Sequence, residues 1–330
     1  MKQSFLFLVL LASAYSCKVA EKSATLGSVE RIDPSLDNII VPAAQIEVLS
    51  EGYEWSEGPV WIESEKMLLF SDVPVNTIYK WTEEQGTVVY LKPSGYTGNT
   101  SSNSAEEGSN GLALDRAGKL VLCQHGDRRL AALDAPLDAP QAAFTTLANT
   151  YEGKKFNSPN DVAIRSNGDY FFTDPPYGLP EGVQQETPFQ GVYKLSGGTV
   201  TLLVDSLTRP NGIAFTPDEK TVIIANSDKD KASWYAYDLG ENDSLINARI
   251  FYDATEAAKS ESGLPDGLKI DRDGNVFATG PGGVWIFNKD ARLLGKIKIP
   301  VSTANCAFSE GGKTLFMTAD NYLLRLKMRN

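Results

Sequence analysis

One short pattern recurs six times along the chain. An Asn, Asp or Glu stands just ahead of an alternating apolar segment. It reads "EGPVWI" from Glu57, "SNGLAL" from Ser109, "SPNDVAI" from Ser158, "RPNGIAF" from Arg209, "LPDGLKI" from Leu264 and "TANCAF" from Thr303. With Glu57, Asn110, Asn160, Asn211, Asp266 and Asn305 as anchors, the intervals are 53, 50, 51, 55 and 39 residues. A period near fifty marks a repeat architecture rather than a string of unrelated domains.

The repeats share an internal order. After the anchor, apolar residues alternate, as in Ile213 and Phe215 or Leu268 and Ile270, and a period of two means a strand. Turn chemistry follows in "DRAGK", "RSNGD", "TPDEK", "DRDGN" and "SEGGK", which suits tight hairpins. "DRDGN" also opens like a calcium-binding helix–loop–helix, but Gly282 stands where that loop needs a Glu, so it reads as a hairpin. Second strands come next ("KLVLCQ", "DYFFTD", "TVIIAN", "NVFATG", "TLFMTA"), then further strands such as "GVYKLS" and "SWYAYDL". Only 254–260 has helical character. Six four-stranded units imply an all-β, six-bladed β-propeller around a central channel, spanning 46–330. Segment 46–55 has no blade of its own, so it is expected to lend a strand to the short last blade and close the ring.

The N-terminus has a different character. Lys2, an apolar run from Phe5 to Ala14 and small residues before Cys17 read as an export signal over 1–16, too short to span a bilayer. "AYSC" fits a bacterial lipoprotein box with Cys17 lipidated, which would place the protein in the periplasm or on the cell surface. Simple cleavage after Ala14 is the alternative. Residues 17–45 read as a flexible tether. Cys123 and Cys306 lie in apolar strand segments, the setting of buried free thiols, with a disulfide between them as the alternative. A net charge of −11 and no basic run exclude a nucleic-acid surface. The expected partner is a small molecule, with membrane contact only through the N-terminal lipid, and the chain is expected to act as a monomer.

In a propeller the first strand of each blade lines the channel, so the six anchors converge near the axis. Two carboxylates and four amides then face one point. Such oxygen donors suit a hard divalent cation, Ca²⁺ above all, and not zinc or copper. Within "RPNGIAF", Pro210 and Gly212 read as turn residues. Asp72, His125, Asp174 and Asn226 end second strands and are expected to ring the same mouth. His125, the only His in the chain, is placed beside the metal. Arg128 and Arg129 are candidates for holding a substrate. No GxSxG, HExxH, Walker or GxGxxG motif is present, which argues against serine-hydrolase, zinc-protease and nucleotide chemistry.

The matching segments, "EGPVW", 106–130, 157–178, 209–228, 264–277 and 303–319, resemble the senescence marker protein/gluconolactonase/regucalcin family, and within it the microbial gluconolactonase-like branch. The resemblance covers about 50–328. It implies one divalent cation, usually Ca²⁺, held by Glu57, Asn160, Asn211 and Asp266. It implies hydrolysis of a sugar lactone, with a phosphotriester or other ester as an alternative substrate. The chemistry of that reaction makes Asp266 the catalytic base or nucleophile, with His125 assisting it. The resemblance carries over no substrate contacts, and Asn110, Arg128 and Asn305 are the substrate candidates from their place in the repeats. Loop 93–108 is expected to overhang the site. A non-catalytic calcium- or carbohydrate-binding propeller is the alternative from a different class.

Overall fold

The computed structural model describes residues 24–329. Six antiparallel sheets surround one axis. Blades one to four are four-stranded and run over 56–91, 109–148, 162–204 and 210–253. Blade five, 268–298, carries a fifth strand, Ser28–Arg31, on its outer edge. Blade six, 305–327, has three strands of its own, and Ile46–Glu51 completes it by pairing with Tyr322–Lys327. The ring therefore closes with a strand from the opposite end of the chain, as the sequence pattern anticipates.

Each second strand is an unbroken apolar run because it is covered on both faces. Met67–Asp72 and Thr314–Ala319 are buried throughout. The apolar residues form six clusters among the described residues, one at each blade-to-blade interface. Aromatic rings bridge these seams. Trp61 stacks on Phe316 at 5.7 Å between blades one and six, and Phe171 meets Phe215 edge-on at 4.9 Å between blades three and four. Aromatic pairs of this geometry add to the area they bury. With hydrophobic burial spent between blades, the axis is left free for polar side chains.

Two expectations change here, and one open alternative closes. The described part of the tether, 24–45, is docked. Leu36 and Ile40 are fully buried in the cluster between blades five and six, and Arg31 donates to the carbonyls of Ile40 and Val41 at 3.1 and 2.8 Å. A lone edge strand with few apolar residues carries no periodicity to read. The helical segment is only a single 3₁₀ turn, Ala257–Lys259. Cys123 and Cys306 are free, buried thiols, so the disulfide alternative falls. The export signal and Cys17 lie outside the described residues.

Candidate active site

The anchors face the axis because the inner strands are irregular where they stand. The pairing register slips between Glu57 and Val60, between Ser109 and Leu112, and between Pro210 and Ile213. Such bulges re-aim a side chain out of the ladder. In blades three and five the ladder starts only after the anchor, at Val162 and Leu268.

The residue after each anchor explains the recurrent glycine. A Cβ on Gly58 would sit 2.0 Å from the carbonyl oxygen of Asn110, and one on Gly111 2.7 Å from that of Asn160. A Cβ on Gly212 would sit 2.2 Å from the carbonyl oxygen of Asp266, and one on Gly267 2.0 Å from Cγ of Asn305. Each glycine lets its anchor's backbone abut the next blade's anchor, and the Gly111 amide donates to the Asn160 carbonyl at 2.8 Å. Pro210 and Gly212 are therefore not turn residues. Both lie inside strand Pro210–Phe215, and glycine is required there by close approach.

A cavity of about 420 Å³ opens at this end of the axis. Glu57, Asn110, Asn160, Asn211 and Asp266 line it, joined by Trp55, Glu106, Tyr177, Ser227 and Glu261. Asn211 donates through Nδ2 to Ser227 Oγ at 3.1 Å, and Ser227 in turn donates to the Pro265 carbonyl. That chain ties one anchor to the segment carrying the next. Burial, then the nearby charges of Glu57, Asp161 and Glu106, raise the Asp266 carboxyl well above the carboxylate range. Burial is also the main cause raising Glu57. Tyr177 is held protonated by burial and by the charge of Asp266.

Several predicted residues lie elsewhere. Asp72, Asp174 and Asn226 do not line the cavity. They accept from the backbone amides of Trp55 (3.0 Å), Asn157 (2.8 Å) and Arg209 (2.8 Å), fixing the chain two or three residues ahead of an anchor. His125 is completely buried behind the wall, with Nδ1 3.3 Å from Oε2 of Glu106. Arg128 turns away and donates through Nε to the carbonyls of Phe156 and Asn157 at 2.7 and 3.1 Å. Arg129 pairs with Asp127 at 2.8 Å. Asn305 does not line the cavity; its Oδ1 accepts from Lys269 Nζ at 3.1 Å and from the Cys306 amide at 2.9 Å. Loop 93–108 does reach the site through Glu106. It is pinned by Asn76 Oδ1, which accepts from the amides of Ser94 (2.9 Å) and Gly95 (2.7 Å).

Two channel residues escaped the sequence reading. Asp161 is buried, its Oδ1 accepts from the Val162 amide at 2.9 Å, and its Oδ2 has no hydrogen-bond partner. Burial raises its pKa against the opposing charge of Lys269. Lys269 also donates to the Leu268 carbonyl at 3.1 Å. Their only signal was positional: Asp161 stands where most repeats have glycine, and Lys269 follows Asp266 by three. Trp55 and Tyr177 gave no repeat signal at all.

The donors fit a hard cation. Oδ1 of Asp266 is sealed from solvent without a hydrogen-bond partner, and two enclosed carboxylates face each other with amides around them. Among the described residues no three His, Cys, Asp or Glu side chains form a metal cluster, so a cation held here would need amide oxygens as part of its shell. Oxygen donors of mixed charge suit Ca²⁺ better than a soft metal.

Residues 55–321 match the family described as the SMP-30/Gluconolactonase/LRE-like region. A gluconolactonase of Zymomonas mobilis is 36% identical over 331 residues, covering 97% of this chain and 91% of its own. A solved gluconolactonase of Xanthomonas campestris superposes with a TM-score of 0.80 at 28% identity, covering 95% of this chain and 99% of its own. A solved calcium-binding protein, regucalcin, from Agrobacterium tumefaciens has a TM-score of 0.67 at 18% identity, covering 86% of this chain and 94% of its own, a likeness of fold. With its six-bladed ring and axial cavity, this chain belongs to the SMP-30/gluconolactonase/LRE-like family.

Proposed function

We propose that this protein is a lactonase that opens sugar lactones at the axial cavity, with a divalent cation, Ca²⁺ by preference, held by Glu57, Asn160, Asn211 and Asp266. The observation that carries it is the pair of enclosed carboxylates with an orphaned Asp266 oxygen, set among amides at the floor of a cavity of about 420 Å³. The gluconolactonase relatives support the reaction, and the calcium-binding relative supports the choice of ion.

A bound cation supplies a Lewis acid for the carbonyl oxygen of the lactone. The chain supplies the rest. Asp266 takes a proton from the attacking water as its oxygen bonds to the carbonyl carbon. The acyl–oxygen bond of the ring then breaks, and the ring oxygen takes the proton that Asp266 accepted, which gives the open hydroxy acid and restores the carboxylate. Asn110 and Tyr177 line the same cavity, and their amide and hydroxyl are the groups assigned to hold the ring. Direct attack by Asp266 is a variant of the same assignment.

Acid release from glucono-1,5-lactone in a pH-stat, with and without chelator, tests the proposal. Chelation should abolish turnover and Ca²⁺ should restore it. Asp266→Asn should lower the rate about 10²- to 10⁴-fold while the β-rich fold persists. A near-normal rate in that variant would remove Asp266 from the mechanism. A protein that binds sugar lactones and never turns them over would instead be the non-catalytic propeller.

A further inference from the structure

The chain contains one histidine, and the fold buries it completely. Neither ring nitrogen of His125 has a hydrogen-bond partner. Burying an imidazole without partners is costly unless something compensates. The compensation in view is Glu106, whose Oε2 lies 3.3 Å from Nδ1. No Lys or Arg pairs with Glu106 among the described residues.

The surroundings leave the imidazole little choice of position. A Cβ on Gly178 would lie 2.4 Å from Cβ of His125 and 2.9 Å from Nδ1, so only glycine fits there. The His125 amide donates to the Gly108 carbonyl at 3.1 Å, and its own carbonyl accepts from the Arg128 amide at 3.0 Å. Glu106 is held from its own side as well. Its amide donates to Ser104 Oγ at 3.1 Å, and that hydroxyl donates to the Gly178 carbonyl at 3.1 Å. The Asn103 carbonyl accepts from the Glu181 amide at 2.9 Å, which closes the loop against blade three.

Glu106 is thus a carboxylate pinned in the cavity wall, 31% exposed, above the floor formed by Glu57 and Asp266. The proposed cation accounts for the two floor carboxylates. Glu261, also in the wall, is paired with Lys298 at 3.0 Å. Glu106 is left facing the cavity with only His125 behind it.

We propose that Glu106 is a specificity-determining residue that accepts hydrogen bonds from substrate hydroxyls, and that His125 is the positioning residue holding it in place. The proposal rests on the axial cavity being the lactone site. A carboxylate at a fixed place selects rings that carry hydroxyl donors over bare lactones. Hydrogen bonds to charged groups are the stronger class, so one or two of them separate the two kinds of ring by roughly 10- to 100-fold. This takes His125 out of direct contact with the reacting atoms.

Binding of two non-hydrolysable lactams, glucono-1,5-lactam and unsubstituted δ-valerolactam, measured by calorimetry on the Ca²⁺-loaded protein, tests the proposal without relying on turnover. Wild type should prefer the hydroxylated ring, and Glu106→Gln should reduce the affinity ratio roughly tenfold or more. His125→Gln should reduce the ratio in the same direction, and the double variant should show little further loss, because both changes remove one element. A merely structural role for His125 would weaken both lactams together and leave the ratio alone. Since Glu106 lies at a partly exposed wall, its variant is the one expected to fold whatever His125→Gln does. An unchanged ratio in Glu106→Gln would overturn the proposal. Intact discrimination without lactone turnover in wild type would refute the lactonase reading and leave Glu106 its role.

Discussion

Gly212→Ala tests the idea that close approach between blades, rather than turn formation, builds the site. The added methyl carbon would lie 2.2 Å from the Asp266 carbonyl oxygen, 2.8 Å from Cα of Gly267 and 2.9 Å from Cδ2 of Leu268. Two of these neighbours are backbone and cannot swing aside. Carbon contacts are comfortable near ~3.5 Å, so the inner strands of blades four and five must separate by about 1 Å. Overpacking of this kind costs about 1–3 kcal/mol, which lowers Tm by roughly 2–10 °C in a domain of this size. In the proposed mechanism the larger effect falls on Asp266, since a displacement of about 1 Å in a reacting group can cost about 100-fold in rate. Lactone hydrolysis and thermal unfolding should be measured together on purified protein. Gly198→Ala is the control. It sits at φ 81° with nothing within 4 Å, so it should lose stability of the same order, about 1–2 kcal/mol, without loss of rate. A Gly212→Ala enzyme that unfolds earlier yet keeps its rate within about threefold would refute the positioning argument, since a displaced Asp266 should cost far more. One that unfolds at the wild-type temperature would refute the steric argument itself.

Two further predictions concern the charges on the axis. In the metal-free protein Glu57, Asp266, Asp161 and Asp174 all have raised pKa values from burial, Asp174 to about 7. The folded state then holds more protons than the unfolded chain, so stability is lost as pH rises through this range. Tm in chelator should fall from pH 5 to 8, and Ca²⁺ should flatten the part of the fall that comes from Glu57 and Asp266 by taking their protons' place; a flat or rising profile in chelator would count against the enclosed carboxylates. Lys269→Met removes the ammonium that holds Asn305 and opposes the charge of Asp161. It should destabilise the protein by about 1–3 kcal/mol, and Asp161→Asn in the same chain should recover much of the loss by denaturant titration. Strict additivity of the two changes would show that these side chains do not interact.

The architecture was legible because a repeat announces itself several times. No single "NG" step is informative, but six anchors near a fifty-residue period leave few folds open. The closing strand at 46–51 could be read from what the last repeat lacked. The docked strand at 28–31 could not, because one edge strand beside a short 3₁₀ turn gives no period to detect. The ring of oxygen donors was legible for the same reason as the fold. The upper wall of the cavity was legible only in part: loop 93–108 was expected over the site, but which of its residues reaches in was not, and Trp55 and Tyr177 come from loops that differ from blade to blade.

Local sequence therefore determined the number of blades, the strand that closes the ring and the kind of atom facing the axis, because each is written in residues at a constant spacing. Tertiary structure decided the rest. It showed that the glycines serve contacts between blades, a function set by atoms about fifty residues away in the chain. It moved His125, Arg128 and Asn305 out of the cavity wall, because position on a strand end does not say which way a side chain turns once neighbours pack against it. It also brought Glu106 into the cavity wall and Lys269 beside Asn305. Their charges act through distance, and distances across the ring exist only after the ring has closed.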